Sequence, residues 1–138
     1  MIYRHTQVGW TILAAVGLVL LLLFRLPRSP VSPAMTMLLV AVLVFFGTLT
    51  VTVDKEQIEA RFGPGLIRFR ISVDSIQSCR VVRNPWLAGW GIRWIGSGWL
   101  FNVSGLDAVE LTLKNAHVYR IGTDEPEMLC AAIEQAMQ

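Results

Sequence analysis

The stretch VGWTILAAVGLVLLLLF, residues 8–24, is followed by AMTMLLVAVLVFFGTLTVTV, residues 34–53, and neither holds a charged side chain. Read as helices at about 1.5 Å per residue, both runs approach the thickness of a bilayer's hydrocarbon layer. Between them Arg25-Leu26-Pro27-Arg28-Ser29-Pro30-Val31-Ser32-Pro33 carries three prolines. Proline removes backbone donors and blocks helix propagation, so the chain must turn back there. The expectation is a two-helix hairpin with spans at about residues 8–24 and 34–51, within an N-terminal segment 1–53. A cleaved secretory signal does not fit, because no small-residue cleavage pattern follows Phe24. A hairpin packed inside a globular core would need a polar face, and neither run has one.

The charge distribution is equally uneven. The chain has 138 residues, 54% hydrophobic and 16% charged, with a formal net charge of +2. Arg4, Arg25 and Arg28 are the only charged residues up to position 50; the remaining nine basic and all ten acidic side chains lie beyond it. The near-neutral C-terminal part lacks the excess of clustered Lys and Arg that phosphate neutralisation demands, which excludes a nucleic-acid partner. Two spans put the N-terminus and the C-terminal domain on one side. Arg4, Lys55, Arg61, Arg68 and Arg70 on that side, against Arg25 and Arg28 in the turn, favour a cytoplasmic domain on a plasma (inner) membrane protein. Cys79 and Cys130, two cysteines in different elements, suit buried thiols better than a disulfide framework.

Past Val53 the hydrophobic pattern alternates, as in half-buried strands. Gln57 to Phe62 turns Ile58, Ala60 and Phe62 one way, and Ile67 to Ser72 does the same with Ile67, Phe69 and Ile71. Gly63-Pro64-Gly65-Leu66 makes the turn between them. Matching the apolar faces sets Phe62 opposite Ile67, Arg61 opposite Arg68, and Glu59 opposite Arg70. Further strands are expected at Ile76 to Val82, Trp99 to Val103, Ala108 to Lys114 and His117 to Gly122, with Leu49 to Asp54 bringing the count to about seven. An amphipathic C-terminal helix follows, with Pro126 in its first turn and Leu129, Ala132, Ile133, Ala136 and Met137 as its apolar stripe.

Asn84-Pro85-Trp86, Gly89-Trp90-Gly91-Ile92-Arg93, Gly98-Trp99-Leu100-Phe101-Asn102-Val103-Ser104-Gly105 and Tyr119 to Glu127 resemble stretches of uncharacterised bacterial pleckstrin-homology-like membrane proteins. The resemblance implies a roll or barrel of about seven antiparallel strands over residues 49–138, closed by the C-terminal helix and tethered by the helical hairpin. It implies no reaction. Ala116 departs from the pattern, because a hairpin turn at Asn115-Ala116 favours glycine for its positive φ.

The chemistry-bearing residues form no recognised catalytic motif. His5 and His117 lack metal-ligand spacing to cysteines or carboxylates, so no metal is expected. The glycines at 89, 91, 96 and 98 are not followed by the lysine and helix of a phosphate-cradling loop, and no serine sits in a nucleophile elbow. No catalytic residue and no cofactor are assigned; a small hydrolase or transferase would have to gather Cys79, Asp74 and His117 into one pocket. Binding is the expected role. Trp86, Trp90 and Trp94, with Arg93, form an aromatic loop suited to lipid headgroups or a protein partner, while Trp99, alternating with Phe101, is expected in the core. Lys55, Arg61, Arg68 and Arg70 form a weaker patch for anionic lipid, as in some pleckstrin-homology domains. The sequence therefore points to a membrane-anchored, non-catalytic binding or scaffolding module whose partner is the lipid bilayer or a membrane protein. An accessory subunit of a transport or assembly complex is the alternative.

Overall fold

A computed structural model describes residues 1–25, 31–85, 91–96, 98–103 and 105–138. Its elements run β1 (Tyr3–Val8), α1 (Trp10–Arg25), α2 (Val31–Phe46), β2 (Thr48–Val53), β3 (Gln57–Phe62), β4 (Ile67–Ser72), a 3-10 turn (Val73–Ser75), β5 (Ile76–Arg83), β6 (Gly91–Trp94), β7 (Gly98–Asn102), β8 (Asp107–Leu113), β9 (Val118–Gly122) and α3 (Pro126–Met137). One sheet has the order β1-β2-β3-β4 and the other β5-β8-β9-β7-β6.

The two apolar runs divide differently from the expectation. Val8 ends β1, where Tyr3 to Val8 pairs antiparallel with Val53 to Thr48. The second run changes from helix to strand at Gly47, after which Thr48-Leu49-Thr50-Val51-Thr52-Val53 alternates like a half-buried strand, with Leu49, Val51 and Val53 inward. Each helix keeps 16 residues, about 24 Å against the roughly 30 Å of a hydrocarbon layer. Among the described residues no helix is long and apolar enough to cross a membrane. This overturns the two-span anchor, and with it the inner-membrane localisation and the cytoplasmic orientation inferred from it. The helices instead extend the β1–β2 hairpin. At its mouth Gly9 N–H donates to Gly47 O at 2.7 Å, and Leu13 N–H bonds Gly9 O as α1 begins.

The seven-stranded antiparallel roll is also corrected. Among the described residues nine strands form two sheets, and β7 runs parallel to β9 with Gly98 opposite Val118 and Phe101 opposite Ile121. The architecture is α+β. Strands β1 and β6 are the two that alternation does not announce. In β1 the residues are mostly polar, and the strand is held by its partners: Thr6 meets Thr50 hydroxyl to hydroxyl at 2.9 Å, and Tyr3 and His5 reach Glu125 and Asp124.

The inner faces of both sheets and α3 share one core. Leu49, Val53, Ile58 and Phe62 from the first sheet join Phe101, Val109, Leu111 and Ile121 from the second, with Leu129 and Ile133 from α3. Aromatic rings stitch the sheets together: Phe69 stacks on Phe101 at 4.5 Å and tilts against Tyr119 at 4.8 Å. Helix α2 joins this core at its end, where Phe46 meets Phe62 edge to face at 5.5 Å.

Candidate functional site

Three features converge where the helical pair leaves the sheet. Trp10, the first residue of α1, is 70% exposed beside the Gly9–Gly47 hydrogen bond. The β3–β4 turn lies against the end of α2: a Cβ on Gly63, whose φ is +53°, would sit 3.0 Å from Phe45 O, and Gly63 N–H donates to Thr48 O. Leu66, at the tip of this turn, is 75% exposed.

The same turn gathers two cations. Arg61 faces Arg68 across β3 and β4 in the register that the apolar faces dictate. Both side chains lie over Gly65, where a Cβ would fall 2.6 Å from Arg61 Cδ and 3.2 Å from Arg68 Nη2. Glycine at φ +98° makes this approach free of steric cost. Arg68 Nε donates to Gly65 O, which orients its guanidinium along the turn. Opposed like charges in adjacent strands cost stability, and an anion between them relieves that cost.

The other two members of the basic patch are elsewhere. Arg70 is bound to Glu59, Nε to Oε2 at 2.7 Å. Lys55 follows β2 at the opposite end of the strand from the helices, in an open cleft of about 350 Å³ with Met1, Asp54, Glu56 and Gln57. There the N-terminal ammonium pairs with Asp54 at 2.8 Å.

The tryptophan loop is only partly described. Trp86 and Trp90 lie outside the described residues. Arg93 and Trp94 are exposed on β6, whose register places Gly91 opposite Asn102 and Trp94 opposite Trp99. A Cβ on Gly9 would sit 3.0 Å from Val103 O, so the Asn102 end of β7 adjoins the helix base. At about 3.3 Å per residue, Trp94 is then some 10 Å further along the strands from that base. It packs edge-on against Trp99 at 5.5 Å, and the pair lines a shallow cavity of about 170 Å³ with Gly98, Ala116, His117, Val118 and Tyr119. Trp99 is 42% exposed at this rim, in contrast to its expected core position. Ala116 does adopt the left-handed conformation that its turn requires, at φ +71°.

The residues of the enzymatic alternative do not assemble around a reactive group. Cys79 contacts Cys130, and burial, followed by the Cys130 hydrogen bond, pushes the Cys79 thiol well above its ordinary range, opposite to what a nucleophile needs. No contact among the described residues brings Asp74 or His117 to it. Among the described residues, no group of three metal-ligating side chains is placed to hold an ion.

A second polar cluster is structural. Glu110 on β8 is almost fully buried and accepts from Arg80 Nη2 at 2.7 Å and Arg120 Nε at 2.8 Å, while Arg120 Nη1 reaches Asn84 Oδ1 at 3.2 Å. Burial alone would raise the Glu110 carboxyl, but the two arginines outweigh it and hold the group below the usual carboxylate value. A depressed folded-state value stabilises the protein above the unfolded value, about pH 4, and that contribution is lost as pH falls through the folded value. The stability gap between wild type and Glu110→Gln, measured by urea unfolding, should therefore be widest near neutrality and close on acidification below about pH 4. A gap independent of pH would mean that the carboxylate charge contributes nothing.

No protein-family model matches the chain, and no curated protein matches it. The pleckstrin-homology-like resemblance thus finds no family match, and the parallel β7–β9 pair and the short helices contradict the architecture it implied.

Proposed function

We propose that the protein is a non-catalytic binding module that engages lipid through the helical pair α1–α2 and the basic turn at its base. The observation that carries this reading is that both helices, apart from the buried Val16 and the partly buried residues near their bases such as Ile12 and Phe46, expose large apolar side chains. Phe24 is 90% exposed, Met37 75%, Leu38 58% and Leu22 55%, with Leu18, Leu21 and Val44 above half. A monomer in water seldom exposes so large a contiguous apolar surface. A lipid surface can take up these exposed side chains without either helix crossing it.

The polar groups flanking the pair suit the same occupant. No acidic residue precedes Asp54, so nothing on the helices repels an anionic surface. Trp10 at the helix base is the residue type that prefers headgroup depth, and Arg61 and Arg68, gathered at the β3–β4 turn that lies against the end of α2, supply cations that headgroup phosphates attract. Leu66 adds an apolar contact at that level.

Flotation of the full chain with phosphatidylcholine vesicles, with and without phosphatidylglycerol, tests the proposal. The expected result is flotation with both and tighter binding with the anionic lipid. Arg61→Gln with Arg68→Gln should remove most of that preference, about 30-fold at low salt, from roughly 1 kcal/mol per basic residue. Flotation with neither, accompanied by a defined larger assembly in solution, would show instead that protein covers the helices.

A further inference from the structure

Cys79 lies mid-way along β5 and Cys130 in the first half of α3, and the fold brings their sulfurs to 2.6 Å although 51 positions separate them. Both are free thiols. Cys130 is buried on the inner face of α3, while Cys79 is partly exposed, so reagents from solvent reach the pair through Cys79. The packing around them is fixed: Leu129, Ala132 and Ile133 bury the same face of α3, and β5 is held to β8 with Cys79 opposite Leu111. Neither thiol has a role in the lipid-binding surface.

We propose that Cys79 and Cys130 form a reversible disulfide that staples α3 to β5, with a low-molecular-weight disulfide as the oxidant. Cys79, as thiolate, attacks one sulfur of the oxidant, forming a mixed disulfide and expelling one thiolate, which takes up the proton lost by Cys79. Cys130 then attacks the Cys79 sulfur, forming the intramolecular bond and expelling the second thiolate, which takes up the Cys130 proton. One oxidant disulfide is reduced to two thiols for each protein disulfide formed. Closing a loop of this length restricts the unfolded chain and so stabilises the folded one.

The titratable groups facing Cys79 are Cys130 and Glu134, both on α3, and its β8 neighbour Leu111 is apolar. Burial and these partners hold the Cys79 thiol protonated at neutral pH. Exchange is therefore slow near pH 7 and accelerates about tenfold per pH unit as the thiolate fraction grows.

The test treats the reduced full chain with oxidised glutathione and measures the intact mass after acid quench and denaturation without reductant. The proposal expects loss of two hydrogens with no retained adduct, a Cys79–Cys130 cross-linked peptide, and a melting temperature raised by about 10 °C that dithiothreitol reverses. Cys130→Ser, lacking the resolving thiol, should instead retain one glutathione on Cys79. A wild-type chain that keeps both thiols free up to pH 9, keeps a lasting adduct on Cys79, or cross-links between molecules would overturn it. The peptide map is read on wild type alone, so a variant that fails to fold leaves the test intact.

Discussion

Replacing Phe62 by alanine should lower the unfolding free energy by about 3–5 kcal/mol and the melting temperature by about 10 °C or more. Phe62 is 1% exposed and stands where three parts of the molecule meet. On β3 it pairs with Leu49 of β2 and Ile67 of β4; its ring meets Phe46 of α2 edge to face and lies 6.3 Å from Phe101 of β7. Truncation removes the transfer free energy of the ring and leaves a cavity that two sheets and a helix end cannot all collapse into. Leu66, four residues on and 75% exposed, is the internal control: its alanine variant should shift stability by less than about 0.5 kcal/mol. Equal losses at the two positions would mean that the core does not join the sheets as described.

The second large effect concerns binding rather than stability. Changing Leu18, Leu22, Met37 and Leu38 together to glutamine should cut vesicle partitioning by about three orders of magnitude or more, since each apolar side chain contributes roughly 1.5–3 kcal/mol on transfer from water. None of the four belongs to the core that joins the sheets, so the thermal unfolding of the β-sheet portion should stay unchanged. Retained partitioning with an unchanged melt would relocate lipid contact away from the helical pair.

Some of this was legible in the sequence for a plain physical reason. In Gln57 to Phe62 and Ile67 to Ser72 the alternation is strong enough that only one register buries both apolar faces, and it fixes Arg61 opposite Arg68. It does not reveal that Gly65 lets both side chains fold over the turn, because that depends on backbone conformation. The run from Ala34 to Val53 is uncharged throughout, so charge does not mark the change at Gly47; the threonines at 48, 50 and 52 do, and the strand expected from Leu49 matches the observed Thr48–Val53, while the helix before it ends at Phe46, short of the expected residue 51.

Long-range order was the less legible part. Strand β1 carries Arg4, His5, Thr6 and Gln7 and has no apolar alternation to announce it; its stability comes from pairing with β2 and from the Asp124 and Glu125 contacts. The parallel alignment of β7 with β9 is a matter of sheet order, on which local periodicity is silent. Trp99 shows the same limit. Its period places it on the inner face with Phe101, yet at the end of β7 that face is no longer covered, and the indole stays partly exposed against Trp94. The Cys79–Cys130 contact, between a strand and a helix far apart in the chain, left no trace in spacing.

The most direct test of the lipid reading is the environment of a spin label on the helical pair. Leu22→Cys and, separately, Lys55→Cys, each in a Cys79→Ser, Cys130→Ser background, would be labelled and bound to phosphatidylglycerol-containing vesicles, and power saturation would compare accessibility to oxygen and to a water-soluble nickel chelate. The label at position 22 should be far more accessible to oxygen than to nickel, as in hydrocarbon, and the label at position 55 should show the reverse. Equal nickel accessibility at the two positions would contradict the lipid reading.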